Sequence, residues 1–424
     1  MIEVVLIEVA FVGLEGRPVR DLIEEAIKSS RADYVEIRVE ERESTRISFR
    51  GRTLEEIGSS SSVGGCVRAL AGGGWGFVSF NDLSDLKSRV ALAESEARLV
   101  GGERVRLAPV EPVVDLVRAE LNRDPREISL GEKKRLLEEY NEIILGYSPK
   151  IQTSLVVYID SFTKKYYANS EGSYIEQERG DIGANFIAIA RDGDNVQQCF
   201  RTAGGITGYH VMEGLHPKVE DVARRAVEML AAKPVKGGEY TVVIDPGLAG
   251  VFAHEAFGHL SESDFVYENE RLRELMALGK RFGPESLNIL DGAAIPGHRG
   301  SYKYDDEGTP AEKTYLIREG VLVGRLHSRE TAAKMGETPT GNARAISYRH
   351  RPIVRMTNTF IDVGSTNFED MLSDIKEGVY AIEAYGGQTA MEMFTFSACE
   401  AFMIRSGKIA ERVRDVVLTG NVFD

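Results

Sequence analysis

Apolar residues recur every three to four positions in several stretches of the chain, and this spacing predicts helices. The stretches are residues 18–30, 129–145 and 218–232. In the first of them, acidic residues occupy the side opposite the apolar one, which is typical of an amphipathic helix. Elsewhere along the chain the apolar positions follow a shorter period.

Residues 34–39 alternate between apolar and polar with a period of two, which indicates a β-strand. Residues 151–201 contain several further β-rich runs separated by turn sequences, so we predict an antiparallel meander there. The glycines of Gly72–Gly76 lack the Gly-Lys-Ser/Thr ending of a phosphate loop and predict a hairpin turn. The fold class is therefore α+β: an N-terminal α/β-layered region with antiparallel sheets, followed by a β-rich C-terminal domain.

The length of 424 residues favours two or three domains. The strongest break is at residues 231–238, where one proline and two glycines end the third predicted helix. We expect an N-terminal α+β domain at 1–125, a helix, meander and helix at 126–235, and a C-terminal domain at 236–424. After the break, a strand at 240–244 leads into Asp245, which can cap a helix that has Pro246 at its first position.

Composition excludes some functions. The 52 basic residues against 66 acidic ones give a net charge of −14, which does not support binding to nucleic acid or to an anionic membrane. Three cysteines are too few for a secreted disulfide framework. Residues 1–14 are apolar but lack the basic start of a signal peptide, and no run approaches the roughly 18 apolar residues of a membrane-spanning helix. We therefore expect a cytoplasmic protein.

The segment G-V-F-A-H-E-A-F-G-H, which begins at Gly250, is the strongest candidate for chemistry. His254 and His259 can hold Zn²⁺ through neutral imidazole nitrogens, and Glu255 can accept a proton from water. In the H-E-x-x-H pattern the histidines are four residues apart, but here they are five apart. A regular helix would point the two rings about 140° apart. The spacing therefore requires a π-bulge or an early helix end, for which Gly258 supplies flexibility.

The residues leave an alternative open, in which His254 and His259 are ordinary histidines of a helix surface or a core. A resemblance bears on this choice. The sequences G-W-G-F at 74–77, H-E-A-F-G-H, D-D-E-G-T-P at 305–310 and T-G-N-A-R at 340–344 resemble those of the TldD/PmbA family of modulator-of-gyrase peptidases. So do H-R-P-I-V-R-M-T-N-T at 350–359 and F-T-F-S-A-C-E-A-F-M-I-R-S-G-K-I, so that the likeness spans nearly the whole chain.

The intact H-E-x-x-x-H motif is similar to that of the TldD-type subunit, because the PmbA (TldE) type lacks it. The resemblance implies a zinc metalloprotease with one Zn²⁺ per subunit, His254 and His259 as ligands and Glu255 as general base. It also implies extended peptides as substrates, and a TldE/PmbA-like partner or a homodimer around an enclosed chamber.

In the family the third metal ligand is a cysteine in a glycine-rich segment near the carboxyl terminus. This sequence ends at L-T-G-N-V-F-D, so we expect that ligand to be missing. Cys399 could replace it as a thiolate, although buried free cysteines are common. Glu262, Asp264 and Glu268 could serve as carboxylate ligands, although acids after a helix usually face solvent.

Arg344, His350 and Arg355 form a local concentration of basic residues that could bind a peptide carboxylate or polarise a carbonyl. The strand expected at 355–360, which contains Asn358, could border the cleft and align an extended substrate. Solvated surface charge is the alternative for the basic residues. The leading hypothesis for the chain is a zinc peptidase. The alternatives are a non-catalytic peptide-binding subunit and a structural metal site.

Overall fold

The computed structural model describes residues 17–100, 105–390 and 393–422. The apolar stretch 1–14, for which we predict no signal peptide, lies outside the described residues. Within them, no helix combines the length and the apolar character needed to cross a lipid bilayer.

The largest sheet has seven strands in the order β3-β2-β1-β5-β6-β4, with β7 also paired to β6. The predicted meander is confirmed, because β5, β6 and β7 are consecutive antiparallel neighbours. The hairpin turn predicted at the glycine run joins β2 to β3. The strands are β1 (Tyr34–Arg50), β2 (Thr53–Ala71), β3 (Gly74–Phe80), β4 (Val114–Val117), β5 (Ile151–Asn169), β6 (Tyr174–Asp192) and β7 (Asn195–Gly205).

Four helices pack against this sheet: α1 (Val19–Lys28), α2 (Leu86–Val100), α3 (Leu130–Gly146) and α4 (His216–Met229). Three of them confirm the helices predicted from the apolar spacing. The first two share one apolar core with β1 to β3, and the other two share a second core with β5 and β6. Ser129 begins α3 by accepting a hydrogen bond from the backbone N–H of Glu132.

In the rest of the chain, the described residues form three smaller sheets and five short α-helices. A six-stranded sheet has the order β8-β18-β17-β16-β9 with β19 beside β17, a four-stranded sheet has the order β12-β11-β10-β15, and β13 pairs with β14. The helices are α5 (Pro246–Ala253), α6 (Ser263–Glu268), α7 (Glu270–Leu275), α8 (Arg329–Met335) and α9 (Phe368–Ser373). The strands are β8 (Lys233–Pro234), β9 (Thr241–Ile244), β10 (Ile289–Gly292), β11 (Lys313–Arg318), β12 (Val321–Leu322), β13 (Ala343–Arg344), β14 (Ile353–Val354), β15 (Thr359–Ile361), β16 (Glu377–Ala390), β17 (Met393–Arg405), β18 (Lys408–Arg414) and β19 (Val417–Asn421).

Buried ion pairs join the seven-stranded sheet to the C-terminal part. Arg68 of β2 contacts Glu36 of β1 at 2.7 Å and Glu307 of the C-terminal part at 3.0 Å. All three side chains are almost inaccessible to solvent. Such a pair is costly to separate, because each charge would be left buried without a partner. The predicted α+β class, with antiparallel sheets first and a strand-rich C-terminal part, is confirmed.

Candidate metal centre

The centre lies on the helix that follows β9. As predicted, Asp245 caps this helix: its side chain accepts a hydrogen bond from Leu248 N at 2.8 Å, and Pro246 occupies the first turn. The α-helix ends at Ala253 and continues directly into a π-turn at His254–Gly258. The prediction of a π-bulge is therefore confirmed.

The π-turn brings the two histidines together. One π-helical turn takes about one residue more than an α-helical turn, so side chains five residues apart return to one side. The ring centroids of His254 and His259 are 4.8 Å apart, with the rings nearly perpendicular at 83°. Ligand atoms of His254, Glu255 and His259 all lie within 4.8 Å of one another. One metal ion could therefore contact all three side chains.

The structure corrects the reason given for Gly258. Its backbone has ordinary helical angles, φ −61° and ψ −60°, so no special flexibility is used there. A Cβ atom at this position would instead lie 1.9 Å from Sδ of Met356, which is a buried residue. This close packing favours glycine, and Met356 packs against the π-turn.

Glu262 orients His259. The Glu262 side chain is fully buried, and its Oε2 lies 3.2 Å from His259 Nδ1. An ionised carboxylate only accepts hydrogen bonds, so Nδ1 carries the proton and Nε2 keeps its lone pair free. Histidines that bind metals commonly have such a carboxylate behind them. Arg355 contacts the same carboxylate at 3.2 Å and balances its charge.

The two imidazoles differ in their protonation. Burial lowers the pKa of His254, and the neighbouring His259 lowers it further, which favours the neutral ring that binds a metal. For His259, the hydrogen bond with Glu262 raises the pKa, whereas burial opposes this effect. The buried carboxylate therefore attracts positive charge to the His259 side of the centre.

A buried aspartate fixes the position of the segment that packs against the π-turn. Asp291 of β10 accepts hydrogen bonds from Thr357 N at 2.8 Å and from the Thr357 and Thr359 hydroxyls at 2.7 Å each. It also accepts one from the Asn342 amide at 2.9 Å. These bonds fix the segment that carries Met356, and thus the support of the π-turn.

The predicted substrate-binding residues lie in different parts of the structure. Arg355 lies at the metal centre through its contact with Glu262. Asn358 uses its whole amide internally, donating to Gly292 O and Ser301 Oγ and accepting from Gly300 N. Arg344 donates to Met356 O and lines a separate cavity.

His350 is exposed, and its backbone carbonyl accepts a hydrogen bond from Arg38 at 3.0 Å. The alternative third ligands also have defined places. Asp264 accepts from Val354 N at 3.3 Å, and Glu268 is exposed. Cys399 is buried in β17 and, among the described residues, does not belong to the group of close ligand atoms. Burial raises its pKa, which disfavours the thiolate that a metal requires.

Sequence reasoning missed the roles of Glu262 and Asp291. Glu262 was considered only as a ligand, although its position three residues after His259 places it on the same side of a helical turn. For Asp291 the sequence carries only a weak signal, a lone acidic residue at the end of an apolar run.

Two histidines and a glutamate turned to one side of a helix are the residue types that metallohydrolases use to hold a metal. Comparison with protein families identifies the family to which the chain belongs. Three models of the PmbA/TldA metallopeptidases match, namely domain 1 at residues 35–98, the central domain at 123–233 and the C-terminal domain at 237–424. The chain belongs to this family.

Relatives support the assignment. A metalloprotease of Synechocystis sp. is 51% identical over 395 residues, which cover 93% of this chain and 85% of the relative. A zinc metalloprotease TldD homolog of Saccharolobus solfataricus is 28% identical over 84% of this chain and 79% of its own. The crystal structure of TldE from Thermococcus kodakarensis has the same fold, with a TM-score of 0.76 at 20% identity, covering 95% of this chain and 91% of that one.

Proposed function

We propose that the chain is a zinc-dependent peptidase that hydrolyses peptide bonds in unstructured or extended peptides. The observation that carries the proposal is the π-turn, which directs His254 and His259 toward each other with Glu255 beside them. Membership of a metallopeptidase family supports the peptide as substrate.

The donor set fits zinc. Zn²⁺ prefers imidazole nitrogens, and Glu262 leaves Nε2 of His259 free to bind it. Burial lowers the pKa of His254, which favours its neutral form. When bound, zinc would act as a Lewis acid toward the scissile carbonyl and would acidify water. The same donors also suit other divalent transition metals, so metal content has to be measured.

Glu255 is the proposed general base. It follows His254 directly, and its carboxylate lies within reach of both imidazoles. From there it can accept the proton of the attacking water and return a proton to the leaving amine. The buried Glu262, already engaged by His259 and Arg355, is less able to do this.

An edge strand beside the centre can align the substrate. β15 pairs with β10 on one side only among the described residues, and it packs against α5 and the π-turn. An extended peptide can add to such an edge through backbone hydrogen bonds. A folded protein cannot present its backbone in this way, so we expect unfolded chains to be cleaved and folded ones to resist.

The test is Glu255→Gln, assayed on quenched fluorescent peptides with the metal content of each protein measured. We expect the rate to fall by about 10²–10⁴-fold while the metal is retained. Glu268→Gln, which changes an exposed acid nearby, should cleave normally. A chelator should abolish wild-type cleavage and added zinc should restore it. Wild-type rates from Glu255→Gln would reject the general-base assignment.

One observation favours a second candidate function, a non-catalytic peptide-binding subunit. Among the described residues, the group of close ligand atoms contains two histidines and Glu255 but no further side chain. If Glu255 completes the metal site, it is not available as a base. Peptide binding without cleavage, unchanged by a chelator, would select this alternative.

We further propose that the chain works with a TldE/PmbA-like partner or as a homodimer in a reducing compartment such as the cytoplasm. All three cysteines are buried and unpaired, which supports a reducing environment. The solved TldE structure of the same fold supports a partner of related shape. We also propose that the chain is divided into three domains, with boundaries at residues 125/126 and 235/236.

A further inference from the structure

A cavity of about 600 Å³ lies away from the metal ligands, on one face of the seven-stranded sheet. Its floor comes from β1, β5 and β6, where alternate residues share one face. On β6 these include Arg179, Asp181 and Gly183. Two C-terminal segments, 299–306 and 344–346, contribute the remaining wall. The cavity is therefore formed between the sheet and the C-terminal part.

Four arginines line this cavity, namely Arg42, Arg179, Arg299 and Arg344, and two of them contact the same carboxylate. Asp181 accepts from Arg299 Nε at 3.1 Å and Nη2 at 2.6 Å, and it contacts Arg179 Nη2 at 3.3 Å. Among the residues that the structure describes, no acidic side chain lies within ion-pair distance of Arg344, whose Nη1 donates to the backbone carbonyl of Met356. Asp181 is therefore shared by two guanidinium groups, and Arg344 adds a further positive charge near Arg179.

The other acids of the cavity are Glu40, Asp305 and Asp306, and the two aspartates are already engaged. Asp306 is held by Lys165 at 2.7 Å and by Arg38 at 3.7 Å. Asp305 accepts three backbone N–H groups, each at 2.9 Å. Both carboxylates therefore have partners of their own.

Arg179 has unused hydrogen-bonding capacity. Its Nε is inaccessible to solvent and has no hydrogen-bond partner. Burial lowers the pKa of Arg179, and the nearby Arg344 and Arg299 lower it further, so an added negative charge would be favourable here.

The same cavity also has an apolar side. Ile159 of β5 is 40% exposed and Ile346 is 87% exposed, and both line it. An apolar group seated beside the arginines would cover these side chains. A ligand that combines a carboxylate with an apolar side chain therefore matches both parts of the lining.

We propose that Arg179, Arg299 and Arg344 form a subsite for a peptide carboxylate flanked by an apolar residue. This inference rests on the proposed function, because it takes the ligand to be a peptide. The carboxylate can come from the C-terminus of the peptide or from an acidic side chain. Arg344 links the subsite to the metal centre, since its partner Met356 also packs against Gly258 of the π-turn.

The test measures binding by calorimetry to the full-length, metal-loaded Glu255→Gln protein. Three N-acetylated octapeptides are compared: one ending in leucine with a free carboxylate, its C-terminal amide, and that amide with glutamate before the leucine. We expect the free acid to bind at least about tenfold more tightly than the plain amide. The third peptide identifies the source, because it matches the free acid only if an acidic side chain suffices.

Arg299→Gln and Arg179→Gln should each reduce this preference to less than about threefold. Arg299 is 60% exposed in its side chain, so its variant should fold even if the Arg179 variant does not. Arg52→Gln is the matched control, because Arg52 is exposed and pairs only with Glu142 at 3.5 Å. It removes the same charge and should keep the full preference.

Equal binding of acid and amide by the parent protein would overturn the subsite, as would an unchanged preference in both cavity variants. Failure of the proposed function has a different signature. In that case the wild-type protein cleaves none of the three peptides, whether or not they bind.

Discussion

The metal centre and the carboxylate subsite are assembled in opposite ways. The side chains of the metal centre come from one stretch, His254–Glu262, in which a single helical segment determines their relative positions. The arginines of the subsite come from β6 and from two C-terminal segments that meet only after the chain has folded. The first site depends on local backbone geometry, and the second depends on the contact between the sheet and the C-terminal part.

Because of this difference, a substitution should affect one of the two sites and not the other. A change within the ligand helix should alter metal binding and leave the subsite intact. A change at the contact with the sheet should alter the subsite and leave the metal in place. The two sites share one physical link, Met356, which packs on Gly258 and accepts a hydrogen bond from Arg344.

The largest effect is expected from His254→Ala. Removing one of two imidazoles should reduce the metal content from about one ion per chain to none, because a single histidine and a carboxylate hold zinc poorly. Elemental analysis of purified protein measures this, and His298→Ala, at an exposed histidine, is the control. The preference for a free peptide carboxylate should persist. Full metal content in His254→Ala would contradict the proposed site.

Asp306→Asn should affect the carboxylate subsite rather than the metal centre. It leaves Lys165 and Arg38 without their carboxylate, and we expect the free energy of unfolding at pH 7 to fall by about 3 kcal/mol. The freed positive charge should strengthen the carboxylate preference, while the metal content stays unchanged. Urea unfolding monitored at the single tryptophan, Trp75, gives the stability.

Asp306 also predicts a pH dependence. Although burial opposes ionisation, Lys165 and Arg38 hold the pKa of Asp306 below its usual value. Its contribution to stability is therefore present above the unfolded pKa of about 3.9 and is lost as the pH falls through the folded value. Below about pH 4, wild type should lose stability more steeply than Asp306→Asn. Asp194→Asn, in the exposed turn after β6, should behave as wild type, and equal slopes in all three proteins would contradict this account.

Glu262→Gln should have a smaller effect, confined to the metal. The amide can still accept from His259 Nδ1, but it lacks the charge that strengthens His259 as a ligand. We expect zinc affinity to fall by about 10- to 100-fold, measured by competition with a chelating dye. Glu268→Gln changes an exposed acid and should not alter it. Unchanged affinity in Glu262→Gln would show that the buried carboxylate does not tune the ligand.

Gly258→Ala should have the smallest effect and tests the link between the sites. The added methyl group would displace Met356, whereas at Gly250 it would meet no atom within 4 Å. We expect Gly258→Ala to be less stable than Gly250→Ala by about 1 kcal/mol, measured by thermal unfolding. Met356→Ala added to Gly258→Ala should recover part of the loss, and no recovery would argue against the close packing as its cause.

Sequence alone predicted the elements that local patterns encode. The spacing of apolar residues identified α1, α3 and α4, and the spacing of His254 and His259 predicted a π-bulge or an early helix end, of which the structure has the π-turn. The strand predicted at 34–39 in fact continues to Arg50, because the polar residues after Val39 lie in a central strand. Two of them, Glu40 and Arg42, face the charged cavity, and local alternation cannot reveal that environment. The subsite could not be predicted for the same reason, since it requires the pairing register of distant strands.

The π-turn also determines where the length of the chain can change. Deleting one residue between the histidines, such as Ala256, would restore the four-residue spacing, at which a regular α-helix keeps both rings on one side. A further insertion between them would rotate His259 away by about 100°. A deletion between His259 and Glu262 would instead turn the Glu262 carboxylate away from the His259 imidazole. Insertions and deletions in this segment are therefore constrained by helical phase, and only the interval between the two histidines has a second length that preserves the centre.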